Sequence, residues 1–198
     1  GQRRWLNEES CSREEAALLM SLPMHQVHGE GDRFESVDGS KRLAPGGVAT
    51  ELLTGEYVRA ESEAEADMYR FLGVKTASLT QLYANSVLPS IASFSPANRE
   101  SAAISMLEAL PQLYKEDASF LDRLASESFV TTMEGKLARP RDLFDPNASD
   151  LRHLLEGGDF YPSEALQRPD LVAILVRLGL QTSLDRLLTT TVRPCRCC

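Results

Sequence analysis

Residues 24–37 read MHQVHGEGDRFESV and contain the local pattern on which the fold prediction depends. Two short runs suited to β-strands flank the Gly-Glu-Gly-Asp segment at residues 29–32. Glycine tolerates the left-handed backbone that tight turns require, so the pattern predicts a β-hairpin. Residues 129–138, FVTTMEGKLA, predict a second hairpin whose turn lies at residues 133–135.

The segments around these hairpins carry signals of helix starts and ends. Three Ser-x-x-Glu/Gln motifs, beginning at Ser12, Ser62 and Ser78, predict capping boxes, in which each side chain bonds the other residue's backbone amide. Gly73 and Gly179 each follow a leucine in a position typical of a helix C-terminus. The fold class is therefore predicted to be α+β and mostly helical, with two small β-hairpins packed on helices. Further helical segments are predicted at residues 49–53, 95–110, 117–124, 149–155, 169–178 and 183–188.

The order of these elements is repeated along the chain. Residues 72–76, LGVKT, match residues 178–182, LGLQT, and a serine-started helix is predicted after each. The Glu-Gly pairs of the two hairpin turns are separated by about the same number of residues as these two Leu-Gly pairs. This spacing indicates an internal duplication of roughly 100 residues. We predict a first helix-hairpin-helix unit at residues 1–92, a second at 93–188, and a disordered or aberrant tail at 189–198.

The charge balance excludes several classes of partner. The chain has 198 residues, a formal net charge of -8 and a sequence pI near 5.0. Binding to nucleic acid or to anionic membranes requires a basic face, so neither partner is expected. No apolar run approaches the roughly 20 residues that span a bilayer. The chain starts without an initiator Met or a signal-peptide segment, and we expect it to begin inside a longer protein.

The four cysteines do not form a disulfide pattern. Cys11 stands alone, whereas Cys195, Cys197 and Cys198 crowd the last four residues. A secreted disulfide fold would distribute its cysteines through the chain, so a reducing compartment, cytoplasmic or nuclear, is predicted. The three terminal thiols could ligate a soft metal, but they lack a nearby histidine or an ordered element. We favour an aberrant chain end over a metal site.

Other candidate residues have a structural interpretation beside the functional one. His25 and His28 could hold zinc with a carboxylate if they shared a helix face. On a strand their spacing sends them to opposite faces, so ordinary strand histidines are favoured. His153 is predicted to lie in solvent. The sequence thus predicts no catalytic, cofactor-binding or metal-ligating residue, no cofactor, and a protein that is not an enzyme.

The N-terminal residues also have two interpretations. Arg3, Arg4 and Trp5 could form a patch that contacts a partner, or they could belong to a preceding structural element, which we favour. The glycine-rich segments at residues 29–32 and 45–47 are interpreted as turns. Neither follows a strand and opens a helix as a phosphate-binding loop must.

A series of short motifs in a fixed order carries a resemblance to a known family. The chain resembles the large repeats of sacsin-type proteins, which include plant relatives, over about residues 1–188. No single motif would suffice, and the specificity comes from their order. The motifs lie at residues 21–24 (SLPM), 43–45 (LAP), 71–75 (FLGVK), 103–113 (AISMLEALPQL), 116–120 (EDASF), 129–132 (FVTT), 135–137 (GKL), 139–146 (RPRDLFDP), 160–162 (FYP) and 178–180 (LGL).

The resemblance implies chaperone-like work on client proteins. Repeats of this family open with an ATP-binding region of the GHKL type, which requires a helix Asn or Asp for magnesium and an Asp-x-Gly-x-Gly turn. Asp38-Gly39 lacks the second glycine, so this chain resembles the portion downstream of the ATP-binding region. The resemblance implies a non-catalytic interaction and scaffold segment in protein folding or quality control. Its partners would be client or chaperone proteins and neighbouring repeats of the same polypeptide.

Two alternatives remain open at this point. The chain could belong to an ATPase whose nucleotide site lies upstream. It could also be a metal-dependent regulator that uses the cysteine tail.

Overall fold

The computed structural model describes residues 12–29, 31, 33–37, 39–155 and 157–183. The chain divides into two compact units, Gly1–Val87 (unit 1) and Leu88–Cys198 (unit 2). Each unit contains helices and a small β-sheet, so the predicted α+β class is confirmed. The predicted tail at residues 189–198 lies outside the described residues, as does the predicted helix at 183–188 apart from Ser183.

Unit 1 contains a four-stranded sheet in the order β2-β1-β4-β3. Strands β1 and β2 are antiparallel and form the first predicted hairpin, which is confirmed. Strand β4 adds to β1 in the antiparallel sense and β3 adds to β4 in the parallel sense, and neither of these strands was predicted. The elements are α1 (Arg13–Ser21), β1 (His25–Val27), β2 (Arg33–Glu35), β3 (Arg42–Leu43), a 3-10 turn (Thr50–Leu52), β4 (Tyr57–Val58), α2 (Glu63–Phe71), α3 (Leu79–Leu82) and a π-helical segment (Tyr83–Val87).

Helix α1 begins as its sequence predicts. The Ser12 hydroxyl accepts from the Glu15 amide at 3.3 Å, and the Glu15 carboxylate accepts from the Ser12 amide at 2.7 Å. Both capping-box bonds also form at the start of α3. Only one of the two bonds predicted for the capping box at Ser62 forms, the bond from the Glu65 amide to the Ser62 hydroxyl. The second was predicted wrongly, because the Glu65 carboxylate accepts from the amide of Glu61 rather than from that of Ser62.

Unit 2 contains the second predicted hairpin, in which β5 and β6 pair with Thr131 opposite Leu137. This hairpin is also confirmed. Helix α6 was not predicted, and its Pro111 lies in the first turn, where a proline is well tolerated. The elements are α4 (Leu88–Ser90), a 3-10 turn (Ile91–Ser93), α5 (Pro96–Glu108), α6 (Leu110–Glu116), α7 (Phe120–Ser126), β5 (Val130–Thr131), β6 (Leu137–Ala138), α8 (Ser149–Leu154), α9 (Pro169–Arg177) and 3-10 turns at Pro140–Asp142, Gly158–Phe160 and Glu164–Leu166.

The two hairpins have turns of the same length. In each, five residues connect the last pair of strand residues, which is Val27–Arg33 in unit 1 and Thr131–Leu137 in unit 2. The fourth residue of each turn is a glycine with positive φ, +76° at Gly31 and +80° at Gly135. The two turns therefore share their length and the position of one glycine, and the duplication stays a prediction from the sequence.

The ends of α2 and α9 match in the same way. Each helix has nine residues, and each is followed by a leucine and a glycine with positive φ. The next stretch of chain then forms a parallel β-bridge within its own unit, Leu43–Thr76 in unit 1 and Phe144–Gln181 in unit 2. The backbone bonds that close the helix ends are Val74 N to Tyr69 O and Leu180 N to Leu175 O, each 2.9 Å.

Each unit has its own buried apolar side chains. In unit 1, one cluster joins the sheet to α2 and is made of Val37, Leu43, Val58, Tyr69 and Val74. In unit 2, one cluster joins α8 to the segment after β6 and is made of Phe144, Leu151 and Tyr161. The largest fully buried side chains of unit 2 include Phe129, Met106, Leu107, Leu113, Leu124, Leu143, Leu166, Leu171 and Leu175.

Candidate functional site

Four large apolar side chains of unit 1 remain exposed near the end of α1 and on the first hairpin. The exposed fractions are 63% for Leu18, 42% for Leu22, 56% for Met24 and 55% for Phe34. Single exposed apolar residues are ordinary, but a group of them in one region marks an interaction site. We call these four exposed residues together the hairpin surface.

The β-sheet register explains why Met24 and Phe34 face the same way. Phe34 lies directly opposite Gln26 in the β1–β2 pair, and residues opposite each other share one face of a sheet. Met24 is two residues before Gln26, so the period of a strand puts it on that face as well. The other face carries His25 and Val27, both of which are buried.

His25 fixes the base of the hairpin surface. Its Nε2 donates to the carbonyl of Leu19 at 2.9 Å, since a carbonyl oxygen only accepts. Its Nδ1 lies 3.3 Å from the Tyr69 hydroxyl, and the two rings meet edge to face. These contacts join the last turn of α1, strand β1 and helix α2, so the hairpin surface stands on an anchored support.

The second histidine of the candidate zinc pair lies in a different environment. His28 follows β1, its backbone amide donates to the Tyr57 carbonyl at 2.9 Å, and its side chain is half-buried. Burial, and then the charge of Arg59, hold the pKa of His28 below its ordinary value. The structure therefore does not bring His25 and His28 together as ligands, because both ring nitrogens of His25 contact Leu19 and Tyr69.

The other candidates from the sequence are dispersed. His153 lies on α8 and is exposed. Within the described part of the chain, no group of three or more His, Cys, Asp or Glu side chains is placed to hold a metal ion. The four cysteines, together with Arg3, Arg4 and Trp5, lie outside the described residues.

Charged side chains lie on either side of Phe34 along β2, which is an edge strand of the sheet. Arg33 and Glu35 flank Phe34 and form an ion pair at 2.5 Å. Lys41 donates to Glu35 at 2.6 Å and to the Gly55 carbonyl at 2.6 Å. The hydrogen bond from Lys41 is the main reason that the pKa of Glu35 is lowered. Because Arg33 and Glu35 lie opposite Val27 and His25, they point to the other face of the sheet from Phe34, and their charges limit strand-to-strand aggregation at this edge.

A buried hydroxyl network in unit 1 was missed by sequence reasoning. The Tyr57 hydroxyl lies 3.1 Å from Ser86 Oγ, which donates to the Glu56 carboxylate at 3.2 Å. Burial raises the pKa of Tyr57, so this hydroxyl stays protonated and fastens β4 to the π-helical segment. Pro89 is the signal in the sequence, because a proline ring conflicts with the carbonyl four residues earlier and disturbs the α-helical pattern there.

Comparisons with protein-family models, with characterised proteins and with solved structures find no match to this chain. Among the described residues, no helix is both long enough and apolar enough to cross a membrane. The sacsin-type resemblance therefore stays a prediction from the ordered sequence motifs, and the candidate site rests on the geometry of unit 1.

Proposed function

We propose that this chain is a non-catalytic, chaperone-like interaction and scaffold segment of a sacsin-type repeat protein, acting in the cytoplasm or nucleus. The observation that carries the proposal is the hairpin surface, an exposed apolar area on an anchored support. Its partners would be client or chaperone proteins and neighbouring repeats of the same polypeptide. Of these partners, client proteins have the chemistry that fits this surface best.

The motifs behind the family resemblance support the scaffold part of the proposal. Phe129 and Leu143 are fully buried, and Phe144 and Tyr161 belong to one buried cluster. Leu180 follows α9 and is buried where the chain enters its parallel bridge. Residues that recur in order and fill the core preserve a packing arrangement, which is what a repeated scaffold requires.

The side chains of the hairpin surface support the interaction part. Methionine is flexible and polarisable, and it adapts to apolar groups of different shape. The neighbouring edge strand β2 offers backbone groups that an extended segment could pair with by strand addition. Incompletely folded proteins expose apolar, extended segments of this kind, so they are the expected clients.

Replacing Leu18 or Phe34 by lysine is expected to weaken client binding about tenfold, because burying a large apolar side chain contributes roughly 1.5–3 kcal/mol. The measurement is light scattering after a chemically denatured model enzyme is diluted into buffer that contains the chain. The wild-type chain should delay aggregation, and the Leu18→Lys and Phe34→Lys variants should require about ten times more protein for the same delay.

Leu154 provides a matched control for this experiment. It is 64% exposed, against 63% for Leu18, but it lies on α8 of unit 2. Leu154→Lys should therefore suppress aggregation as well as the wild type does. Equal losses in the Leu18 and Leu154 variants, or no suppression by the wild-type chain, would contradict the proposal.

The alternative of an ATPase with an upstream nucleotide site predicts a different result. On our proposal, ATP or ADP titrated into this chain in a calorimeter produces no heat of binding, because its sequence lacks the magnesium and glycine motifs of the family's nucleotide site. Saturable binding by this chain would show a nucleotide site within it, and the non-catalytic proposal would then be withdrawn.

A further inference from the structure

The outer side of strand β2 presents the backbone groups of Phe34. The Arg59 amide donates to the Gln26 carbonyl at 2.8 Å, so the backbone groups of Gln26 point to β4. Gln26 and Phe34 lie opposite each other, and they therefore form a non-hydrogen-bonded pair of the β1–β2 ladder. Because β2 is the edge of the sheet, the amide and the carbonyl of Phe34 are directed to an open edge.

The three residues of β2 are complementary to themselves in the antiparallel direction. They are Arg33, Phe34 and Glu35, a cation, an aromatic ring and an anion. When two copies of β2 pair antiparallel about Phe34, the two Phe34 residues lie opposite each other, and each Arg33 lies opposite Glu35 of the other copy. In a parallel pair of the same register, like charges would lie side by side, which is destabilising.

The ion pairs within the chain are compatible with this arrangement. Arg33 pairs with Glu35 of its own strand at 2.5 Å, and Lys41 donates to the other oxygen of the same carboxylate. A carboxylate offers about four acceptor sites, so a third donor can be accommodated. Alternate residues of one strand are roughly 6.7 Å apart, whereas residues opposite each other in a non-hydrogen-bonded pair are roughly 4.5 Å apart. Since exposed ion pairs contribute little to affinity, these charges select the register rather than drive the contact.

We propose that the chain forms a symmetric dimer in which the β2 strands of two copies pair antiparallel about Phe34. The two Phe34 residues exchange backbone hydrogen bonds, and their rings contact each other on one face of the joined sheet. The Met24 side chains of both copies lie on that face as well, so the dimer enlarges the apolar area. The contact is small, and a weak dimer with a micromolar dissociation constant is expected. This interaction goes beyond the function proposed above and does not depend on it.

Sedimentation velocity of the full chain measures the association. The monomer has a mass of 21.9 kDa, and the average mass should rise toward twice this value across the micromolar range of concentration. Hydrogen exchange of single amides, followed by NMR, locates the contact. The Phe34 amide should become protected as the concentration rises, whereas the Glu35 amide, which is directed to β1, should be protected throughout. A chain that stays monomeric, or a dimer that leaves exchange at Phe34 unchanged, would overturn the proposal.

Charge reversal tests the register of the two strands. Because of the symmetry, Arg33→Glu and Glu35→Arg each place like charges opposite each other twice, and each should weaken the dimer about tenfold. An equal mixture of the two variants should dimerise as the wild type does, since every pair across the contact is again of opposite charge. The variant with both substitutions should behave in the same way, and circular dichroism should show an unchanged fold in all of them. If the mixture stays as weak as the single variants, the antiparallel pairing is wrong.

Arg139→Glu is the matched control. Arg139 follows β6, an edge strand of the two-stranded sheet of unit 2, and pairs with Asp142 of its own chain at 2.6 Å. The same charge reversal at this position should leave the dimer unchanged. Equal losses from Arg33→Glu and Arg139→Glu would show that net charge rather than β2 controls the association, and the proposal would be overturned. A monomeric chain that still delays the aggregation of a denatured enzyme would overturn the dimer alone and leave the proposed client binding intact.

Discussion

Replacing Phe129 by alanine is expected to lower the free energy of unfolding of unit 2 by about 3–5 kcal/mol. Phe129 is fully buried and directly precedes β5, so its removal leaves a cavity beneath the hairpin. Domains are stable by only about 5–15 kcal/mol, and this change takes a large part of that margin. Urea unfolding followed by circular dichroism, with hydrogen exchange of peptides from residues 129–138, measures the loss.

Phe160 is the control for this substitution. It is 38% exposed and meets the Phe144 ring edge to face, with 6.4 Å between the ring centroids. Phe160→Ala should cost only about 1 kcal/mol, which corresponds to an aromatic pair near the surface. Equal destabilisation by the two variants would mean that Phe129 does not have the central position in the core that we assign to it.

The same strand position carries a different side chain in unit 1. By the register of the two hairpins, His25 is two residues before Val27 as Phe129 is two residues before Thr131. In unit 2 the position is filled by apolar packing, whereas in unit 1 it is filled by an imidazole that contacts the Leu19 carbonyl and the Tyr69 hydroxyl. The same strand position can thus hold either an apolar or a polar buried side chain, provided that the polar atoms form hydrogen bonds.

Local chemistry explains which elements were predictable from the sequence. The two hairpins depend on glycine within a five-residue turn, and the boxes at Ser12 and Ser78 depend on side chains three residues apart. All of these interactions are encoded within a few residues. Strands β3 and β4 have only two residues each, and their existence depends on pairing with distant parts of the chain. No local pattern identifies such strands.

The hairpin surface could be predicted only in part. The sequence predicted the hairpin, and with it the alternation that separates His25 from His28. It did not predict that Met24 and Phe34 face solvent, because exposure depends on which neighbours cover each face of the sheet. The contacts of His25 depend on Tyr69, which is far away in the sequence, so the anchored support also required the structure.

Replacing Gly73 or Gly179 by alanine is expected to destabilise its own unit by about 1–3 kcal/mol, the usual cost of a non-glycine residue in a rarely populated backbone region. The φ angles are +92° at Gly73 and +107° at Gly179, and each glycine ends a helix before a parallel bridge. An added Cβ at Gly179 would lie 3.4 Å from Arg141 Cβ, whereas the space around Gly73 is open. Gly179→Ala should therefore be the more costly change, as measured by urea unfolding and hydrogen exchange.

Gly46→Ala is the control for these substitutions, because it replaces a glycine without introducing backbone strain. It has open space around it and no positive φ, so Gly46→Ala should be neutral or stabilise the chain by about 0.4–1 kcal/mol through the unfolded state. If Gly73→Ala behaved like Gly46→Ala, the turn after α2 would not constrain unit 1, and its match with the turn after α9 would have no energetic meaning. A clear loss at Gly73, together with the larger loss expected at Gly179, would instead show that both units depend on the same kind of helix-to-bridge turn, as a duplicated unit requires.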